Sequence, residues 1–209
     1  FGALPTATVG SSANKKQYKS LLRFDLSFIP PGATVNSASV VLNTVSNGAG
    51  TVRAKRVTAP WSESLVTFRI WNNAQASNDE ASFLAGPDDG GIGVLNLTAL
   101  TQSWVNGTYA NNGIVLLEES ATASFATSES ADEWLRPALD VAYTTPNYCA
   151  TNSCADGSTC INTPTGYSCA CFNGLSGPNC DVPRSACPCT GLFSSFAEGG
   201  MQSFEDCSY

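Results

Sequence analysis

Histidine is absent from the 209 residues. Its absence removes the commonest general base, the Ser-His and Cys-His nucleophile pairs and most zinc sites. Carboxylates, tyrosine or lysine remain, yet no constellation of them supports turnover. Positive charge is also scarce, with 10 Lys and Arg against 17 Asp and Glu and a net charge of -7. Nothing resembles the basic stripe of a nucleic-acid binder, so no nucleic-acid partner is expected. No stretch approaches the roughly 20 apolar residues of a spanning helix, so no membrane span is expected. Cysteine is missing before Cys149. The chain starts at Phe1 without an initiator Met or a signal-type apolar run, and is read as a mature product or an excised segment of a longer precursor.

What is present divides the chain at a hinge, Thr144-Thr145-Pro146-Asn147. Before it, Ser39–Val45, Thr51–Val57, Gly113–Glu119 and Ala138–Thr144 alternate or run apolar over short lengths. Pro30-Pro31-Gly32, Asn47-Gly48-Ala49-Gly50 and Gly86-Pro87-Asp88-Asp89-Gly90-Gly91 are turn chemistry. A single short helix is expected over Ala99–Val105, with Thr98 placed to cap it. Such a pattern specifies an all-β, antiparallel β-sandwich of jelly-roll-like type over residues 1–147.

After the hinge all nine cysteines fall between Cys149 and Cys207. That density in a short segment points to disulfides formed in an oxidising compartment, hence to an extracellular or cell-surface location. A small unit at 148–181 has almost no apolar core and needs covalent staples. Residues 182–209 form a cysteine-containing tail or connector.

Two resemblances refine this division. Thr8-Val9-Gly10-Ser11, Leu21-Leu22-Arg23-Phe24-Asp25-Leu26 and Ile29-Pro30-Pro31-Gly32-Ala33-Thr34-Val35 come first. Arg56-Val57-Thr58, Trp61-Ser62-Glu63, Leu97-Thr98-Ala99-Leu100 with Trp104, and Arg136-Pro137-Ala138-Leu139-Asp140-Val141 follow in order. Together they resemble the DNRLRE family, also grouped with carbohydrate-binding module family 96. The family pattern places another strand ahead of the part resembling Phe1–Thr6. Either the sheet does without it or something else supplies it, such as a neighbour's segment added at the sheet edge.

The second resemblance rests on Cys149-x4-Cys154-x5-Cys160-x8-Cys169-x-Cys171-x8-Cys180, which is similar to an EGF-like domain. The spacing alone leaves 15 connectivities open, and the resemblance implies Cys149–Cys160, Cys154–Cys169 and Cys171–Cys180. The stretch before Cys149 carries no carboxylate, so the calcium-binding subtype is not expected. Three cysteines remain, an odd number. One of Cys187 and Cys189 is expected to pair with Cys207 and the other to bond outward.

Candidate sites follow from residue chemistry. Arg53 and Lys55 share one strand face and Arg56 joins from the other side. Because some relatives bind acidic polysaccharides, these three are candidate anion contacts, the plainer alternative being a charged, soluble strand edge. Trp71 and Trp134 lie near loops and are the candidate sugar-stacking residues, whereas Trp61 and Trp104 fall at pattern positions expected in the core. Asn96 and Asn106 head N-glycosylation sequons, Asn106 in a turn and Asn96 in a strand-like run that would shield it. Thr159 resembles an O-fucosylation acceptor and Asn162 a hydroxylation site. Asp88 and Asp89 are weak candidates for calcium in a turn that needs no ion, and no other cofactor or metal is expected. Asp25 and Glu129 recur in the family pattern, and structural pairing with Arg23 or Arg136 explains them at least as well as a site does.

The leading expectation is a non-enzymatic subunit of an extracellular filament, appendage or matrix, joined head to tail and through disulfides to its own kind or to other surface proteins. The alternative is a carbohydrate-binding module recognising acidic polysaccharide, as a free module or as part of a larger polysaccharide-active protein.

Overall fold

The computed structural model describes residues 3–14, 16–47, 50–85, 91–118, 122–172 and 174–184. Two compact units divide between Pro146 and Asn147.

Among the described residues the first unit has ten strands. They are β1 (Thr6–Ser11), β2 (Gln17–Tyr18), β3 (Ser20–Leu22), β4 (Thr34–Asn47), β5 (Gly50–Arg56), β6 (Ala81–Ala85), β7 (Ile92–Asn96), β8 (Ile114–Leu117), β9 (Thr122–Ala126) and β10 (Ala138–Thr144). Strands β3-β8-β5-β6 make one antiparallel sheet, and β10-β4-β9-β1-β2, with β7 added to β4, make the other. Period-two alternation sends one set of side chains inward from each. Val9, Val40, Leu42, Leu95, Ala123 and Phe125 from one sheet meet Val52, Ala54, Ala85, Ile114 and Leu116 from the other in a single buried cluster. Burying one such aliphatic or aromatic side chain is worth about 1.5–3 kcal/mol, which is why this pattern fixes register.

Two short helices interrupt the strands. The first, α1 (Phe68–Trp71), is capped by the Thr67 side chain, which accepts from the Ile70 amide. Helix α2 spans Thr98–Val105. Its N-cap is Leu97, which makes no side-chain cap bond, so Thr98 is not the cap expected from the sequence. The Thr98 hydroxyl instead accepts from the Ala38 amide at 3.0 Å and donates to Asn96 Oδ1, tying the helix start to β4.

One feature of the longer strand positions the site. β10 pairs with Thr34–Val41 of β4, while β9 pairs with Thr44–Asn47 along the same edge. Leu42 and Asn43 therefore lie opposite a gap, and the chain between β9 and β10 leaves the sheet there. β7 runs along the opposite edge, pairing with Ser39–Asn43.

The second unit holds the hairpin β11 (Thr159–Thr163) and β12 (Gly166–Ala170), then the short pair β13 (Leu175–Ser176) and β14 (Val182–Pro183). Its disulfides are Cys149–Cys160, Cys154–Cys169 and Cys171–Cys180. Among its described residues only Cys180 is buried, so sulfur links rather than apolar burial hold the fold. Cys187, Cys189 and Cys207 lie outside the described residues, as do Asp88 and Asp89.

Candidate functional site

The three cations of strand β5 are paired within the protein to two acids. Arg53 Nη1 lies 2.7 Å from Asp79 Oδ2, Lys55 Nζ 3.5 Å from Asp79 Oδ1, and Arg56 Nε 3.7 Å from Glu80 Oε1. Lys55 also donates to the Ser77 carbonyl at 2.6 Å. The acids arrive because residues 75–80 run back along β5, with the Ala76 amide bonded to the Arg56 carbonyl and the Glu80 amide to the Ala54 carbonyl. The Arg53 hydrogen bond holds the Asp79 carboxyl below the usual carboxylate range, so the pair is fully ionised near neutrality. The expected open anion grip on Arg53, Lys55 and Arg56 is thus replaced by a set of internal ion pairs. A shallow cleft of about 410 Å³ beside them is lined by Arg56, Asp79, Glu80, Ser103 and Tyr109. The Arg56 guanidinium stacks 3.7 Å from the Tyr109 ring centroid, covering one face of the aromatic ring that the described residues bring to the cleft wall.

The tryptophans separate sharply. Trp71 is 7% exposed and packs with Val57 and Val115, on the outer face of β8, so it is core and not a sugar contact. Its ring also lies under Lys19 Nζ at 5.2 Å. Trp61 packs against the same cluster, donating from Nε1 to the Asn112 carbonyl, and Trp104 packs against the main core. Trp134 is 91% exposed.

Its position is built by the gap in the edge of β4. Glu133–Leu135 form one turn of 3-10 helix, started by Asp132, whose carboxylate accepts from the Trp134 amide at 3.0 Å. Asn43 alternates with inward-facing Leu42 and Thr44, so its side chain points outward. From there its Nδ2 donates to the Trp134 and Leu135 carbonyls at 3.3 and 3.2 Å. Arg136 Nε closes the excursion onto the Ser130 carbonyl at 3.0 Å. Three hydrogen-bonding side chains thus fix the backbone beneath an indole that touches little else. The outer sheet face alongside is apolar. Ile92 and Val94 of β7 are 66% and 49% exposed, and Val94 pairs across β4 with Val41, which pairs with Ala138. Sequence reasoning marked Trp134 but missed Asn43, the capping role of Asp132 and this strip, although Ile92 and Val94 alternate with inward-facing Gly93 and Leu95.

A family model described as carbohydrate-binding module family 96 matches residues 1–143. The chain belongs to that family. Its sandwich is accordingly of a kind that points to carbohydrate binding. Human protein jagged-1 is 50% identical over 48 residues, 21% of this chain and 4% of jagged-1. Rat delta-like protein 3 is 43% identical over 47 residues, 21% of this chain and 8% of that protein. This chain therefore spans less than a tenth of the length of either curated relative. Those likenesses fit the EGF-like module. With the disulfides they indicate an extracellular or cell-surface protein, and both modules are of non-catalytic kinds. Among the described residues no helix is long and apolar enough to cross a membrane.

The remaining candidates sit as follows. Asn96 is exposed on the outer end of β7, not shielded, with its Oδ1 bonded to the Thr98 amide and hydroxyl. Asn106 is exposed at the end of α2, its Oδ1 accepting from Gln102. Thr159 is exposed, and Asn162, also exposed, accepts from the Tyr148 amide at 2.8 Å. Asp25 accepts from the amide and hydroxyl of Ser27 while Arg23 lies over Trp61, so the candidate Asp25–Arg23 pair is not formed. Arg136 pairs with Glu133 and not with Glu129.

Proposed function

We propose that this protein is an extracellular, non-enzymatic binding protein whose sandwich holds polysaccharide through the face bearing Trp134. The supporting observation is an indole almost wholly in solvent on a backbone fixed by Asn43, Asp132 and Arg136. A large apolar ring left exposed costs solubility, and a rigid mount lowers the entropy lost when a ligand lands on it. Family membership supports sugar as that ligand. Retention on insoluble polysaccharides tests the reading. The Trp134→Ala protein should pass through where the native protein is held, while Leu84→Ala, altering an exposed residue of the other sheet, should be held. Equal retention of native and Trp134→Ala protein on every matrix would refute it.

A second reading, a covalently linked filament or matrix subunit, is favoured by the odd cysteine. Nine cysteines less the six paired leaves three, and three cannot all pair within one chain. In addition, among the described residues Thr6–Val9 of β1 pair with no strand but β9, and an added strand at the other edge would have to displace the Ser20 hydroxyl from the Thr8 carbonyl. Oligomers on a non-reducing gel that collapse with reductant are expected. A monomer in both lanes would count against it.

A further inference from the structure

We infer that the Trp134 face takes an uncharged polysaccharide of gluco- or xylo-configured pyranose rings, an inference that rests on the reading of Trp134 as the sugar contact. The charge around the site decides the class. Strands β1, β2, β4, β7, β9 and β10 contain no Lys or Arg, and their one carboxylate is Asp140, on the outer side of β10 next to Ser39. Between Thr127 and Asp140 stand Glu129, Asp132, Glu133 and Asp140 against one cation, Arg136. That cation is 3.4 Å from Glu133 Oε1 and bonded to the Ser130 carbonyl. A uronic or sulfated chain laid on this face would meet net negative charge with no guanidinium or ammonium positioned to answer it. Lys16 and Lys19 flank β2 at the far end of this sheet, three strands from β4, and Lys19 is bonded to Asn73, while Arg53, Lys55 and Arg56 belong to the other sheet and lie against Asp79 and Glu80.

Shape points the same way. A pyranose with equatorial hydroxyls presents faces of axial C–H, slightly positive, which suit the negative π-face of an indole. Val94, Val41 and Ala138 continue the contact across three adjacent strands, a width of about 10 Å at the usual strand spacing, on the order of two sugar rings in line. Asn96, Ser39 and Asp140 border the strip with hydrogen-bonding groups for the equatorial hydroxyls.

Calorimetric titration of the native chain with cellohexaose, xylohexaose, hexamannuronate and hexagalacturonate tests this, at low and at high salt. Binding of a neutral hexamer that is insensitive to salt is expected. Trp134→Ala should weaken it about tenfold or more, the scale of losing an aromatic anchor, and Trp134→Tyr should keep most of it. Preference for a hexuronate, weakened by salt and unaffected by Trp134→Ala, would overturn the ligand class while leaving polysaccharide binding intact. Self-association abolished by Trp134→Ala, with no glycan of either class bound in solution or as polymer, would overturn both.

Discussion

Replacing Gly93 with alanine probes how the outer strip is held in register. Gly93 is buried in β7 between exposed Ile92 and Val94, and faces the Phe83 ring of β6. A Cβ there would lie 2.9 Å from Phe83 Cδ2 and closer still to Cε2 and Cζ, where ordinary contact begins at 3.4 Å. The Gly93 backbone is not in the left-handed region, so the cost is steric alone. Phe83 cannot simply swing away, because its ring sits edge-on to buried Phe125 at 5.9 Å. Overpacking of this kind costs about 1–3 kcal/mol. For a unit of this size each kcal/mol moves the melting temperature by roughly 4 °C, so Gly93→Ala should melt about 4–12 °C lower by scanning calorimetry. Adding Phe83→Leu opens the space, and the double variant should lose less than the sum of the single losses by about 0.5–3 kcal/mol. A Gly93→Ala protein that melts with the native one, or strictly additive losses, would refute the close approach of β6 and β7.

Two further perturbations separate the protein's charge and sulfur links. Asp79→Asn removes the counter-charge of Arg53 and Lys55, so retention on a polyuronate matrix at low salt should increase; unchanged retention would mean that the pairing does not mask β5. The Asp79 carboxyl titrates below its ordinary value because of the Arg53 hydrogen bond. Its stabilisation is therefore present above about pH 4 and lost as pH falls through the folded value. That acid-side component, under about 1 kcal/mol for an exposed pair, should vanish in Asp79→Asn when denaturant midpoints are followed against pH. Replacing Cys154 and Cys169 with serine opens a closure of 15 residues. The loss should be about 3 kcal/mol, enough for β11 and β12 amides to lose exchange protection while sandwich amides keep theirs. Full protection of the hairpin in that variant would show that burial, not sulfur, holds it.

Much of the sandwich was legible because alternation carries it. Val52 and Ala54 against Arg53 and Lys55 is a half-buried strand on sight, and β5 is that strand. Trp71 was misread because a second layer lies outside the sheet, where a period of two says nothing. The available signal was in β8, whose run Ile114-Val115-Leu116-Leu117 is apolar on both faces and buried throughout all but its last residue. The masking of β5 was hidden for another reason. Asp79 and Glu80 stand more than 20 residues from the cations they meet, and only the register of β5 with β6 brings them together. Thr98 had the chemistry of a cap, but the Ala38 amide competed for its hydroxyl and won.

The two faces of the sandwich therefore differ by more than composition. On one sheet, cations are held by acids folded back from the next loop, so charge there serves the fold and leaves little for a ligand. On the other, strand pairing is broken once, between β10 and β9, and the chain released there carries its largest apolar side chain into water. A continuous strand in that place would have presented alternating small residues flush with the sheet. The interruption instead raises one aromatic ring above a flat apolar strip, with rigid strands beneath it and Asn43 holding it down. Asn43→Ala, which leaves the indole and its exposure unchanged, should thus weaken polysaccharide retention by loosening the mount. If retention is untouched while Trp134→Ala abolishes it, the ring acts without its anchor and preorganisation plays no part.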